Sequence, residues 1–252
     1  MKSIFLFISI MVVTTLTTHA QTQEEIDEAL KYYPLEVGNY WEYQLVTNSE
    51  FKKNIDANYF SIEVVSDTTL GNGQVYKKLK SINFPGWLIV HYEFDIETTT
   101  QGLRVAHYLE RNCNTTANVY QWKPTSNDEY NEVLIDSLMT EQYNFISASR
   151  WPYITDGVQR WPDFQSQMEL FGETVILMYY EALSLGTLRY GLAKDYGLAH
   201  IVSGSYLIEL SYFRDHEGNE FGEAFDVSTP TQTEIPQRAT LLSFQSVNHN
   251  SV

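Results

Sequence analysis

The sequence predicts an all-β fold: a strongly curved antiparallel sheet, in the form of a half-barrel or open barrel, led by one short helix. Three observations carry this. Apolar and polar residues alternate with a period of two over most of the chain after Gly38. Turn-forming Gly and Asn residues punctuate these stretches. The stretches number roughly ten to twelve, more than one flat open sheet holds, so the sheet must curl, close or split into layers.

Residues 1–20, MKSIFLFISIMVVTTLTTHA, read as an export signal. Lys2 gives a positive start, Ile4 to Leu16 an apolar stretch, and Thr18-His19-Ala20 the small residues read before the cut. The run is too short and threonine-rich for a bilayer span, so cleavage after Ala20 and a secreted or periplasmic address are expected. Residues 21–33 form a short helix: in QEEIDEALKYY (Gln23–Tyr33), Ile26, Ala29, Leu30 and Tyr33 share one side, and Pro34 ends it.

The β domain spans residues 34–227. In NYWEYQLV, Trp41, Tyr43 and Leu45 alternate with Glu42 and Gln44; in YFSIEVV, Phe60, Ile62 and Val64 alternate with Ser61 and Glu63. Gly71-Asn72-Gly73 turns the second strand into a third starting near Gln74, and Thr98 to Gly102 bends Trp87–Ile96 back onto Leu103–Arg111. Residues 123–163 read as long loops with one strand near Glu132–Ser137. The last third reads as a meander of Thr174–Leu183, Thr187–Lys194, Leu198–Val202, Tyr206–Arg214 and Glu220–Val227, with a turn at Gly218-Asn219. Residues 228–252, rich in Pro and small polar residues, form a linker-like tail.

Composition narrows the function classes. The chain has 252 residues, 16 Lys and Arg, and 32 Asp and Glu. Removing residues 1–20 takes away one lysine and no acid, so the net charge of −16 becomes −17 over 232 residues. Such an acidic chain repels nucleic acid and anionic membranes. Its 18 Tyr and 5 Trp suit half-wet sheet faces and binding faces alike. The single cysteine, Cys113, cannot form an internal disulfide; it is either a small buried apolar residue or a reactive thiol.

No phosphate loop, nucleophile elbow or metal-ligand motif is present, so neither a cofactor nor a metal is expected. His216-Glu217-Gly218-Asn219-Glu220 starts like a zinc-protease helix, but Glu220 replaces the second histidine and Gly218-Asn219 makes it a hairpin turn. His91 and His107 fall on neighbouring strands, either as a cross-strand pair able to bind a metal or as ordinary strand histidines. Asn114-Thr115-Thr116 matches an N-glycosylation acceptor, and Asp67-Thr68-Thr69 and Asp136-Ser137-Leu138 resemble periplasmic O-glycosylation sites. The most distinctive stretch is Arg150-Trp151-Pro152 followed by Arg160-Trp161-Pro162, with Tyr153 and Asp156 between. Arg150, Trp151, Tyr153, Asp156, Arg160 and Trp161 form a candidate ligand-binding loop that stacks indoles on a sugar, unless both indoles pack inward over the end of the sheet.

Tyr33-Pro34-Leu35-Glu36-Val37-Gly38-Asn39-Tyr40-Trp41-Glu42-Tyr43 resembles the opening of a set of exported, mostly uncharacterised Bacteroidetes-type β-rich proteins; Leu192 to Leu198 and Glu220-Phe221-Gly222 resemble later segments of the same set. The resemblance implies a half-barrel similar to periplasmic lipoprotein-carrier folds, with no established activity. Many of these proteins have a C-terminal sorting domain after a Pro/Thr linker, for which residues 228–252 leave no room, and no lipobox cysteine follows Ala20. No transmembrane anchor is therefore expected in the mature chain. The expected function is a soluble, non-enzymatic binding or interaction module for a lipid, a glycan or a protein partner. A hydrolase is the further alternative, and it needs two carboxylates about 5–10 Å apart in a cleft.

Overall fold

A computed structural model describes residues 21–47, 58–83, 95–100, 102–124, 130–139, 142–143, 158–160, 166–182, 188–203, 206–225 and 227. Residues 1–20, read above as an export signal, His91, most of the candidate sugar-binding loop and residues 228–252, read as a tail, lie outside the described residues.

The helix α1 (Gln23–Leu30) is followed by β1 (Tyr40–Thr47), β2 (Asn58–Thr69), β3 (Val75–Ile82), β4 (Asp95–Thr98) and β5 (Arg104–Cys113). Next come β6 (Asn118–Pro124), β7 (Tyr130–Ser137), β8 (Gln142–Tyr143), β9 (Val158–Arg160) and β10 (Ser166–Leu170). The meander is β11 (Glu173–Ala182), β12 (Leu188–Ala193), β13 (Gly197–Ser203), β14 (Tyr206–Arg214) and β15 (Glu220–Gly222). All belong to one antiparallel sheet with the order β7-β6-β5-β3-β2-β1-β14-β13-β12-β11-β9-β8; β4, β10 and β15 pair beside β5, β11 and β14. The expected all-β fold is what the chain adopts. Among the described residues no hydrogen-bonded seam joins β7 to β8, so the sheet is not closed into a barrel.

The sheet nevertheless turns its two halves toward each other. β7 and β12 are eight strand steps apart, about 38 Å in a flat sheet at the usual spacing of about 4.8 Å. Yet the Tyr190 hydroxyl on β12 donates to Asp136 Oδ1 on β7 at 2.7 Å. Ile135 and Leu138 accordingly join Tyr180, Tyr190 and Leu192 in one buried cluster with Tyr43, Phe60 and Val64. Strand alternation places Trp41, Tyr43 and Leu45 of β1 on this inner face. Tyr43 stacks on Phe60 of β2 at 4.9 Å, and Trp41 on Phe213 of β14 at 5.6 Å.

The outer face carries charge instead. A cross-strand row runs Glu220, Arg214, Tyr40, Glu63, Lys80, His107, so that opposite charges alternate around a ring beside an imidazole. Arg214 lies over the Tyr40 ring at 5.2 Å.

Several expectations change. The helix ends at Leu30 rather than Tyr33, because Tyr32 and Tyr33 N–H groups turn back to Ala29 and Leu30 carbonyls in single tight turns. The stretch read as loops contributes β8 and β9 besides β7, and β6 and β10 add strands that the alternation did not reveal. The last strand stops at Gly222 instead of reaching Val227. From there residues 223–225 and 227 lie across the outer face as a strap. The Glu223 N–H donates to the Ser211 carbonyl at 3.1 Å, and the Phe225 N–H to Glu42 Oε2 at 2.5 Å. Phe225 stacks on Tyr59 at 4.0 Å, and Asn83 Nδ2 donates to the Val227 carbonyl at 2.7 Å. The strap leaves Glu42 buried, its second oxygen accepting from the Tyr40 hydroxyl at 2.7 Å.

Candidate functional site

Helix α1 exists because Thr22 caps it. Thr22 Oγ1 accepts from the Glu25 N–H at 3.2 Å and Glu25 returns the bond to the Thr22 N–H at 2.8 Å, a complete capping box. Its Ile26 and Ala29 are buried against the sheet, while Glu24, Glu25, Asp27 and Glu28 face outward. The helix is tied at both ends to strands six steps apart. On one side Gln23 donates to the Asn114 carbonyl at 3.0 Å, the Tyr33 hydroxyl to buried Glu110 at 2.6 Å, and Asn112 to the Tyr33 carbonyl at 2.9 Å. On the other, the Asp195 N–H donates to the Lys31 carbonyl at 2.8 Å, and Lys194 pairs with Glu28 at 2.6 Å. Lys31 takes the other oxygen of the same carboxylate. The helix thus bridges the β5–β6 turn and the β12–β13 turn.

A cleft of about 320 Å³ opens beside it. Its floor is Leu138, Met139 and Met178, with Ala29 from the helix; Tyr32, Glu25, Glu28 and Lys194 form the rim. Met178 lies two residues from Ile176 on the same face of β11, and Ile176 is 47% exposed. The apolar floor therefore continues out of the cleft onto the surface.

The rim carboxylates do not form an acid–base pair. Glu25 and Glu28 stand one helical turn apart on one wall rather than across a substrate. Glu25 is committed to Thr22. Hydrogen bonds from Lys194 and then Lys31 hold the Glu28 carboxyl down from its ordinary 4.5 to about 2, so it stays ionised. Because its pKa is lowered in the fold, this carboxylate stabilises above pH 4.5, and the contribution disappears as the pH falls from there toward about 2. In Lys194→Met the Glu28 midpoint is expected to climb back toward 4.5 while Lys31 alone remains. Carboxyl-carbon NMR titration checks this, and an unmoved midpoint refutes the clasp.

A second polar cluster lies on the outer face. Arg111 of β5 holds Glu132 of β7 through two bonds, at 2.6 and 2.7 Å, and lies over the Tyr120 ring at 4.6 Å. Tyr76 donates to the same carboxylate and meets Trp122 edge-on at 5.9 Å. The Arg111 guanidinium, then the Tyr76 hydroxyl, keep Glu132 below the usual carboxylate range against its partial burial, and Glu132 raises Arg111 in turn. Every charge there is answered locally, which is the chemistry of a clamp between strands. Cys113, at the end of β5, is half-buried, with Sγ 3.2 Å from Thr115 Oγ1. Burial pushes its thiol up, but hydrogen bonds from Thr115, Thr116 and Arg111 outweigh this and bring it to about 7.

Comparison with family models, curated proteins and solved structures finds no match.

Of the candidate sugar-binding residues, Arg150, Trp151, Tyr153, Asp156 and Trp161 lie outside the described residues; Arg160 ends β9, opposite Tyr180 of β11. His107 is opposite Lys80 and Asp95, with His91 outside the described residues. Among the described residues no cluster of three His, Cys, Asp or Glu is placed to hold a metal. Ser137 and Asp136 are buried in β7, which closes that glycosylation-like triplet to an enzyme; Asn114 and Thr115 are exposed in a turn. Among the described residues no helix is long and apolar enough to cross a membrane.

The cleft escapes sequence reading because its parts are far apart, Glu28 lying 166 residues before Lys194. The Leu192–Leu198 segment contains Lys194 and includes the turn that receives α1.

Proposed function

We propose that this chain is an exported, non-enzymatic binding module, built on a half-barrel-like sheet, that seats an apolar group of its ligand in the cleft beside α1. The observation that carries the reading is the contrast between the cleft and the rest of the inner face. Elsewhere that face is filled by Tyr43, Phe60, Tyr180, Tyr190 and Trp41. These side chains occupy the middle of that face among the described residues. At the cleft, by contrast, partly exposed Met139 and the edges of buried Leu138 and Met178 line a hollow beside the helix. Methionines suit this task, since their unbranched, polarizable side chains adapt to whatever docks on them. The locked states of Glu25 and Glu28 favour binding over catalysis.

The test uses N-phenyl-1-naphthylamine, a neutral apolar dye whose fluorescence rises on burial. The chain should bind it with a stoichiometry near one, and Met139→Asp should weaken binding at least tenfold while the thermal midpoint stays within a few degrees. No binding, or equal binding by the variant, would remove the cleft from consideration.

A further inference from the structure

We infer that the occupant of this cleft is a basic amphipathic segment of a partner protein; the inference rests on reading the cleft as a binding site. The volume, about 320 Å³, sits at the low end of the range of roughly 300–1,000 Å³ usual for enclosed small-molecule sites. The apolar surface is also not confined to the cleft. Met178 and exposed Ile176 extend it along β11, so it forms a strip rather than a hole. A strip suits a few side chains projecting from one face of a peptide laid on the surface.

Charge then selects among peptides and lipids. The helix that walls the strip exposes Glu24, Glu25, Asp27 and Glu28, and Asp195 is exposed next to Lys194 on the opposite side. Among the described residues, the cations beside the strip, Lys31 and Lys194, both already share the Glu28 carboxylate. What remains around the strip is negative, within a chain of net charge −16. An anionic lipid headgroup would meet like charge there. A segment with Leu-type residues on one face and Lys or Arg on the other would fill the strip and answer the rim at once.

The experiment titrates the full chain with an 18-residue Leu/Lys peptide of helical amphipathic pattern. The comparisons are a Leu/Glu peptide of the same pattern and a scrambled Leu/Lys peptide of the same composition. Expected is saturable binding of the patterned basic peptide alone. Ile176→Asp with Met139→Asp should weaken it at least tenfold, and Glu24→Gln with Asp27→Asn should weaken it and flatten its salt dependence. Equal binding of the scrambled peptide, or indifference to the two aspartates in the strip, overturns the inference, because simple attraction to an acidic surface then accounts for the data. If the neutral dye binds and Met139→Asp removes it, but the patterned peptide does not bind, the peptide inference falls and the cleft stands. If neither binds, both fall.

Discussion

Trp41→Ala is expected to be the most damaging single truncation in the first strand, costing about 3–5 kcal/mol. Trp41 is 5% exposed, stacks on Phe213, and donates from Nε1 to the Tyr196 carbonyl at 2.7 Å. Around Tyr196 gather Phe171, Phe213 and Phe221, their ring centroids 5.5–5.6 Å from its own. Losing the indole empties the side of this cluster next to β1 and strips the bond from the turn that receives α1. For a domain of this size the loss corresponds to a fall in melting midpoint of about 10 °C. Trp41→Phe separates the two contributions: it keeps a ring against Phe213 but leaves the Tyr196 carbonyl without its donor, so about 1–2 kcal/mol should be lost. Equal melting curves for Trp41→Ala and the parent chain would contradict the packing described for β1.

Gly222→Ala should cost about 3 kcal/mol locally, although the residue is exposed. Its φ is +84°, in the left-handed region, and a Cβ there would lie 2.2 Å from the Ser211 carbonyl oxygen and 2.4 Å from Phe171 Cε1. Backbone cannot step aside as a side-chain tip can. The cheapest relief is to release β15 and the strap, which exposes Glu42 and Tyr59. Amide hydrogen exchange should then show lost protection over residues 220–227 with little change in β11 and β12. Unchanged exchange over that stretch would mean that the backbone tolerates the methyl group.

These two residues also mark where the sequence was readable. Trp41, Tyr43 and Leu45 announce their strand because their inner face is apolar and their outer face polar. The strand β6 hides because its pattern is inverted: its inward residues include Gln121, while Tyr120 and Trp122 point outward to Arg111 and Glu132. The end of β15 does not show in the sequence because large apolar residues recur at Phe221, Phe225 and Val227, and only the three-dimensional closeness of Ser211 and Phe171 dictates the bend at Gly222. The cleft was invisible for a different reason. Its walls become neighbours only when β7 meets β11 and β12, a consequence of long-range curvature that no local period records.

The strap also fixes how the chain would respond to a pull on its C-terminal end. The load would arrive at Val227 and meet one bond at a time: Asn83 to the Val227 carbonyl, Phe225 to Glu42, Glu223 to the Ser211 carbonyl, then the short pairing of β15 with β14. Bonds opened in succession yield at far lower force than a ladder sheared all at once. Behind them β14 is still paired with β1 from Tyr206 to Arg214 and with β13 from Tyr206 to Glu209, and that is where the peel meets resistance. Under such a load the strap would work as a mechanical fuse, giving up slack before the long strands bear tension.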